Sequence, residues 1–294
     1  MKLKRLMMVL MVGMVIVALT ACGHSKESTS HSHTDHQTKY HRIISLMPSN
    51  TEILYRLGLG KDVIGVSTAD DYPKAVKHKK KFDSMKLNKE ALLKAKPDLI
   101  LAHESQQTSN KETLDSLKKS GVKVVYVKDA QSIQQMYDSF KQVGRVTGKD
   151  KQAEELVTTT KKKIHKVVAS VPEHKKEQRV FMEVSSEPEI YTAGKHTFFN
   201  DMLKKLHAQN CFSDLKGWQK VSKEQIIRQN PDIIVGTTGQ SNKDFRKMID
   251  KQGGMDKTTA VKEGNVQSVN GDQISRPGPR IDEGLKELRD ALYQ

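Results

Sequence analysis

The sequence predicts an α/β protein of two lobes, each with a central, mostly parallel sheet flanked by helices, joined by one long rigid helix. Three observations predict it. Short apolar segments of strand length alternate with segments whose apolar residues recur at helical spacing. One helix–strand unit occurs twice, at Leu87–Ile100 and Val221–Ile234, an offset of 134 positions. Between the copies an amphipathic stripe runs unbroken from about Asp150 to Ala169. At about 1.5 Å per residue that helix is roughly 30 Å long, enough to bridge two lobes as a strut.

The chain begins with a segment that does not belong to either lobe. Lys2, Lys4 and Arg5 precede Leu6–Ala21, which is uncharged and dominated by Met, Val, Leu and Ile. A basic head and a short apolar run read as a secretory signal, shorter than a spanning helix needs. An uncleaved membrane anchor is the alternative. Leu19-Thr20-Ala21-Cys22 resembles a bacterial lipobox, which implies cleavage before Cys22 and acylation of its sulfur. Residues 1–21 are then the signal, and residues 22–41 a polar, His-rich tether. Loss of three cations lowers the net charge from +15 to +12. A basic protein outside the cytoplasm suits an anionic cell envelope, and nucleic acid is excluded as the main partner. Cys211 is left as a lone thiol beside Phe212, expected to be a small buried hydrophobe.

The N-terminal lobe, residues 42–148, opens on the strand Ile43–Leu46. Ser49-Asn50-Thr51-Glu52 has capping-box spacing, which predicts a helix from Ser49 to Leu57 closed by Gly58. Strands follow at Val63–Val66, Leu99–Ala102 and Val122–Val127, with helices at Leu92–Ala95 and Thr113–Lys119. Strands separated by helices imply parallel βαβ units. Ile133, Met136, Tyr137, Phe140 and Val143 form a helical stripe before Gly144 and Gly148. The backbone helix occupies residues 149–171 and the C-terminal lobe residues 172–294. In that lobe Val180–Val184 and Ile233–Val235 read as strands, and Asn200–Leu206, Lys223–Arg228 and Asp282–Leu292 as helices.

The duplicated unit carries the sharpest functional signal. Each copy has a capping residue (Asn88, Ser222), a Lys-Glu pair in the first helical turn, an apolar stripe, and Pro-Asp leading into a strand. Glu90 and Glu224 suit helix N-termini on dipole grounds alone. Their symmetry also suits docking on a two-fold partner that offers basic pockets.

Arg42–Leu54, Leu57-Gly58-Leu59-Gly60, Val63–Ser67, Asp71-Tyr72-Pro73, both Glu–Pro-Asp units and Pro277–Ile281 together resemble the cobalamin and iron-siderophore substrate-binding lipoproteins of ABC importers. The likeness covers about Arg42 to Gln294, nearly the whole mature chain. It implies the helical-backbone, class III architecture, with no enzymatic activity and no tightly bound cofactor. It also implies that Glu90 and Glu224 engage arginines of a membrane permease dimer. The ligand is then a metal chelate, a ferric siderophore or a corrinoid, held between lobes by a monomeric receptor.

Open α/β sheets bind ligands at loops beyond the strand C-termini. The candidate loops are Met47–Asn50, Ala69–Tyr72, His103–Gln106, Tyr191–His196, Lys216–Trp218 and Asp272–Arg276. Trp218, the sole tryptophan, sits among polar neighbours and reads as a cleft contact, with core packing as the alternative. Tyr72, Tyr191 and Asp272 match cleft positions of the cobalamin-binding members, whereas Asp83–Ser84, His103 and Gln273 put polar residues where those members carry aromatics. That departure favours a hydroxamate or carboxylate iron chelate. Arg276 pairs with an anionic chelate on this reading, or is a surface charge.

Two alternatives remain: a receptor of similar architecture for bare divalent metal ions or haem, and an extracytoplasmic hydrolase. His31, His33 and His36 could capture a metal weakly. Gly65–Ala69 lacks the second glycine of a nucleophile elbow, and His103-Glu104 lacks a second zincin histidine.

Overall fold

The computed structural model describes residues 39–173 and 177–293. Cys22, His31, His33 and His36, with the signal and most of the tether, lie outside the described residues. Tyr40 packs on the core, and His41 donates its backbone N–H to Asp98 at 2.7 Å.

The first lobe contains β1 (Ile43–Ser45), α1 (Pro48–Arg56), β2 (Val63–Ser67), β3 (Lys80–Phe82), α2 (Lys89–Lys94), β4 (Leu99–His103), α3 (Gln106–Ser109), α4 (Lys111–Lys119) and β5 (Lys123–Val127). Its five strands are all parallel, in the order β3-β2-β1-β4-β5. Then come α5 (Ile133–Thr147) and α6 (Asp150–Val168). The second lobe contains β6 (Arg179–Ser185), β7 (Tyr191–Ala193), α7 (Phe198–Lys205), β8 (Gln209–Asn210), β9 (Trp218–Lys220), α8 (Lys223–Gln229), β10 (Ile233–Gly236), α9 (Asn242–Lys251), α10 (Thr259–Lys262), β11 (Val266–Ser268), α11 (Gly271–Ser275) and α12 (Ile281–Leu292). Its sheet is mixed. β11, β10, β6 and β8 run parallel, while β7 and β9 add antiparallel strands beyond β6.

Period-two alternation distributes the strands' apolar side chains between layers. Ile43, Leu99, Leu101, Val180, Met182, Ile233 and Val235 enter one core that continues through α5, α6 and α12. Ile44, Ile100 and Ala102 face a separate outer layer of the first lobe, and Phe181 and Ile234 the equivalent layer of the second. The two sheets therefore share a central core, and each keeps its own outer one. The long helix α6 lies against α5 and α12 inside that shared core, so it is a packed strut and not a free-standing linker. Gly144 permits the closeness: a Cβ there would stand 2.5 Å from the Cβ of Ala153. This glycine is a packing contact within α5, and the helix runs on past it to Thr147, capped by left-handed Gly148 (φ 73°).

The capping box expected at Ser49–Glu52 does not form. The helix begins one residue earlier at Pro48, with Met47 as an extended N-cap and no side-chain cap. Proline is preorganised for the first helical position and has no amide to satisfy. The Glu52 carboxylate is taken elsewhere. Only 3% exposed, it receives Nε and a terminal nitrogen of Arg280 at 2.9 and 2.6 Å, a two-pronged pair across the lobes. Arg280 also covers the Tyr72 ring, its guanidinium carbon 3.8 Å from the centroid.

The duplicated unit is duplicated in three dimensions. The Asn88 side chain accepts from the Ala91 amide in α2, and Ser222 accepts from Gln225 in α8, where a full capping box closes. After the helices, Lys96 (φ 47°) and Asn230 (φ 45°) turn left-handed just before each proline. Asp98 then accepts from the Arg42 amide at 3.0 Å and Asp232 from the Arg179 amide at 2.9 Å. Each Pro-Asp step thus fastens the entry of its lobe's central strand.

Removing one partner of a buried pair leaves the other charge desolvated, at a cost of about 3 kcal/mol or more. Urea unfolding should show that loss for Glu52→Ala and a comparable one for Arg280→Ala, with the double variant well short of their sum. Additive losses would show that the pair does not act as a unit.

Candidate ligand cleft

In the first sheet the strand order reverses between β1 and β4, and a crevice opens there beyond their C-terminal ends. A cavity of about 340 Å³ occupies it, lined by Met47–Asn50 after β1, Ala69 after β2, His103 at the end of β4, and Lys128 and Asp129 after β5. A second cavity of about 630 Å³ lies beyond β6, β10 and β11, lined by Val184, Thr237–Gln240 and Ser268–Asp272. Ser275 lines both. The two cavities are the halves of one cleft, meeting at the C-terminus of α11.

Trp218 dominates the second half. It is 45% exposed and packs edge-to-face on Phe199, with centroids 5.4 Å apart and planes at 82°. It stands on the edge strand β9, where a loop was expected. The candidate Asp272 likewise lies on a helix, α11.

Arg276 follows directly. Its guanidinium, 14% exposed, binds Asp272 at 2.7 Å and also Asp71, which follows β2 in the other lobe. Burial pushes the Asp71 carboxyl up, but the hydrogen bond and charge of Arg276 outweigh it and hold the group below the ordinary carboxylate range. Asp71 is presented by a locked turn: buried Asp70 accepts from the Ser67 amide at 2.9 Å and the Ser67 hydroxyl at 2.6 Å. Ser67, the residue nearest to a hydrolase nucleophile, is fully buried and spends its hydroxyl there.

His103 lines the first cavity with both ring nitrogens engaged. Nδ1 lies 2.8 Å from the Ser105 hydroxyl and Nε2 3.3 Å from Asp129. The cleft thus gathers His103, Trp218, Asp272 and Arg276, whereas Tyr72 and Tyr191 line neither half. Tyr72 is turned against Arg280. The β7–β9 register sets Ala193 opposite Trp218 and leaves Tyr191 two positions away, opposite Lys220. Sequence reasoning missed Thr237–Gln240, although the strand before them was legible and its C-terminal end pointed there. It also missed Glu287, one helical face of α12, for which no local signal exists.

Glu90 and Glu224 occupy the first turns of α2 and α8, both exposed and without an ion-pair partner among the described residues. Hydrogen bonds from its own amide and from Ser222 hold the Glu224 carboxyl below its ordinary range. Among the described residues, no three His, Cys, Asp or Glu side chains are grouped to hold a metal ion. Cys211 is buried and unpaired, its thiol pushed up to about 12 by burial.

The periplasmic binding protein family model matches residues 43–272. The chain belongs to the periplasmic binding protein family. A chain from Staphylococcus epidermidis, described as a possible iron-binding (periplasmic solute-binding) protein, superposes with a TM-score of 0.82 at 64% identity, covering 87% of this chain and 100% of that one. An uncharacterized ABC transporter substrate-binding lipoprotein of Bacillus subtilis, YvrC, is 42% identical over 86% of this chain and 80% of its own length. A vitamin B12-binding protein of Pectobacterium atrosepticum is 32% identical over 82% of this chain and 84% of its own. As a family member, the protein is an extracytoplasmic substrate-binding component of an ABC transporter, which works with a membrane permease and is not an enzyme.

One buried group beside the cleft sets a pH dependence. Glu183, fully buried on β6, takes a 2.7 Å hydrogen bond from Ser186 on one oxygen and has no partner on the other. Burial raises it from 4.5 to about 7, helped by the Glu187 charge and opposed by Ser186. The folded protein therefore keeps a proton that the unfolded chain releases between those values, so stability falls as pH rises from about 4.5 to 7 and levels off above. Glu183→Gln should remove that slope and gain up to about 3 kcal/mol at pH near 8. Urea midpoints compared at pH near 5 and 8 check it.

Proposed function

We propose that the protein is a lipoprotein anchored through acylated Cys22, whose cleft captures a metal chelate of the iron-siderophore or cobalamin type and delivers it to an ABC permease. The observation that carries this reading is the cleft: two contiguous cavities at the strand C-termini of two lobes, with an exposed tryptophan over the larger. Their size suits a ligand of several hundred Å³. The polar lining of Ser, Thr, Asn and Gln side chains supports a ferric chelate with a hydrogen-bonding periphery over a flat macrocycle. The engaged nitrogens of His103 support it over haem, whose iron would need a free axial donor. The Staphylococcus epidermidis relative, described as a possible iron-binding protein, supports the same reading. The protein holds no resident cofactor on this reading, and the metal arrives as cargo.

Glu90 and Glu224 are the docking points, one per lobe, on a monomeric receptor. Their exposure, lack of ion-pair partners and identical placement in the duplicated unit support that role.

Titration of the soluble body with a ferric trihydroxamate, cyanocobalamin and haem should show quenching of Trp218 by the ferric chelate. Trp218→Ala should weaken that binding by about tenfold, as loss of an anchoring aromatic does. Binding of none of the three at micromolar concentration overturns the reading. Glu90→Ala and Glu224→Ala should leave the affinity unchanged and cut uptake by cells, most strongly together. Unimpaired uptake by the double variant would remove the docking assignment.

A further inference from the structure

Two cations line the cleft: Lys128 stands on the first-lobe cavity, and Arg276, where the two cavities meet, is already committed. Arg276 is held between Asp71 and Asp272 and adds no free positive charge to the cleft. The larger cavity has the opposite character. Among the described residues, Asp272 and Glu287 are its only charged lining residues, and neither Lys nor Arg lines it, in a chain with 50 Lys and Arg against 35 Asp and Glu. Glu287 accepts the Asn270 amide at 3.0 Å and has no cationic partner among the described residues, so its charge is uncompensated. Concave walls of one sign focus the field on whatever enters.

A further feature of the same cavity points to a ligand. Trp218 presents open indole surface there, the strongest aromatic acceptor for a cation. A carboxylate and an open indole around one cavity make a receptor for a positive group, such as an ammonium. We propose that the second-lobe cavity is a cation-accepting subsite, and that the transported chelate carries a positively charged group into it. The proposal rests on the chelate-binding function above and narrows its ligand class by charge.

Two ferric complexes test it directly: a linear trihydroxamate bearing a free primary amine, which is singly positive, and the same chelator acetylated on that amine, which is neutral. Isothermal titration of the wild-type protein should show the amine form binding about tenfold tighter. Raised salt should narrow the gap. Glu287→Gln, which preserves the bond to Asn270, should bring the two affinities together by weakening only the amine form. Equal binding of the two complexes, or tighter binding of the neutral one, overturns the subsite while leaving a chelate receptor in place. Binding of cyanocobalamin with neither hydroxamate bound likewise overturns the charge rule alone. Failure of all three ligands removes the chelate reading and the subsite with it. Because the first comparison uses the unaltered protein, a variant that fails to fold cannot obscure it.

Discussion

The structure depends on the buried pair between Glu52 and Arg280. Glu52 belongs to the first of the described helices and Arg280 opens the last of them, 228 positions later. A carboxylate buried to this degree is strongly unfavourable unless its charge is met, and a two-pronged guanidinium meets it with fixed geometry. Four residues before Arg280, Arg276 makes a second crossing to Asp71. The short Pro277-Gly278-Pro279 segment between them is thereby held at both ends, and with it the seam where the two halves of the cleft meet. Tyr72, stacked under Arg280, extends the same clamp to the loop that carries Asp71. These contacts join the lobes on the cleft side as the shared core joins them behind.

Charge is distributed unevenly over this frame. Among the described residues, exposed lysines line β3 and the outer face of α6. At the edge strand β3, exposed Lys80 and Lys81 also discourage pairing with another chain. The carboxylates proposed for docking and ligand binding are set within that background: two at equivalent helix N-termini, others around the cleft. An acidic point is most selective on a basic surface, because a partner that engages it feels little competition from like neighbours.

Much of the architecture was legible because parallel strands buried on both faces read as plain apolar runs, and because the helix–strand unit repeats almost residue for residue. The second sheet was read less fully. β9, Trp218-Gln219-Lys220, is an exposed edge strand with no apolar alternation, so it looked like loop. The rule that ligands sit beyond strand C-termini pointed to the loops that line the two cavities. It could not say how the side chains there would be spent. Arg276 reaches a carboxylate 205 positions away and Glu52 an arginine 228 away, contacts that leave no local trace in the sequence. His103 and Tyr72 were named for their chemistry, and their neighbours then decided how much of it was left free.

The central core has a mechanical consequence. Apolar side chains from both sheets interlock with α5, α6 and α12 in one unbroken layer. Prising the lobes apart would wet that layer at about 25 cal/mol for every Å² exposed, so even a modest gape is opposed by several kcal/mol. The two lobes are thus held as one stiff block. On the proposed transport role, loaded and empty forms would then share nearly the same outline, and the work of unloading would fall on the permease.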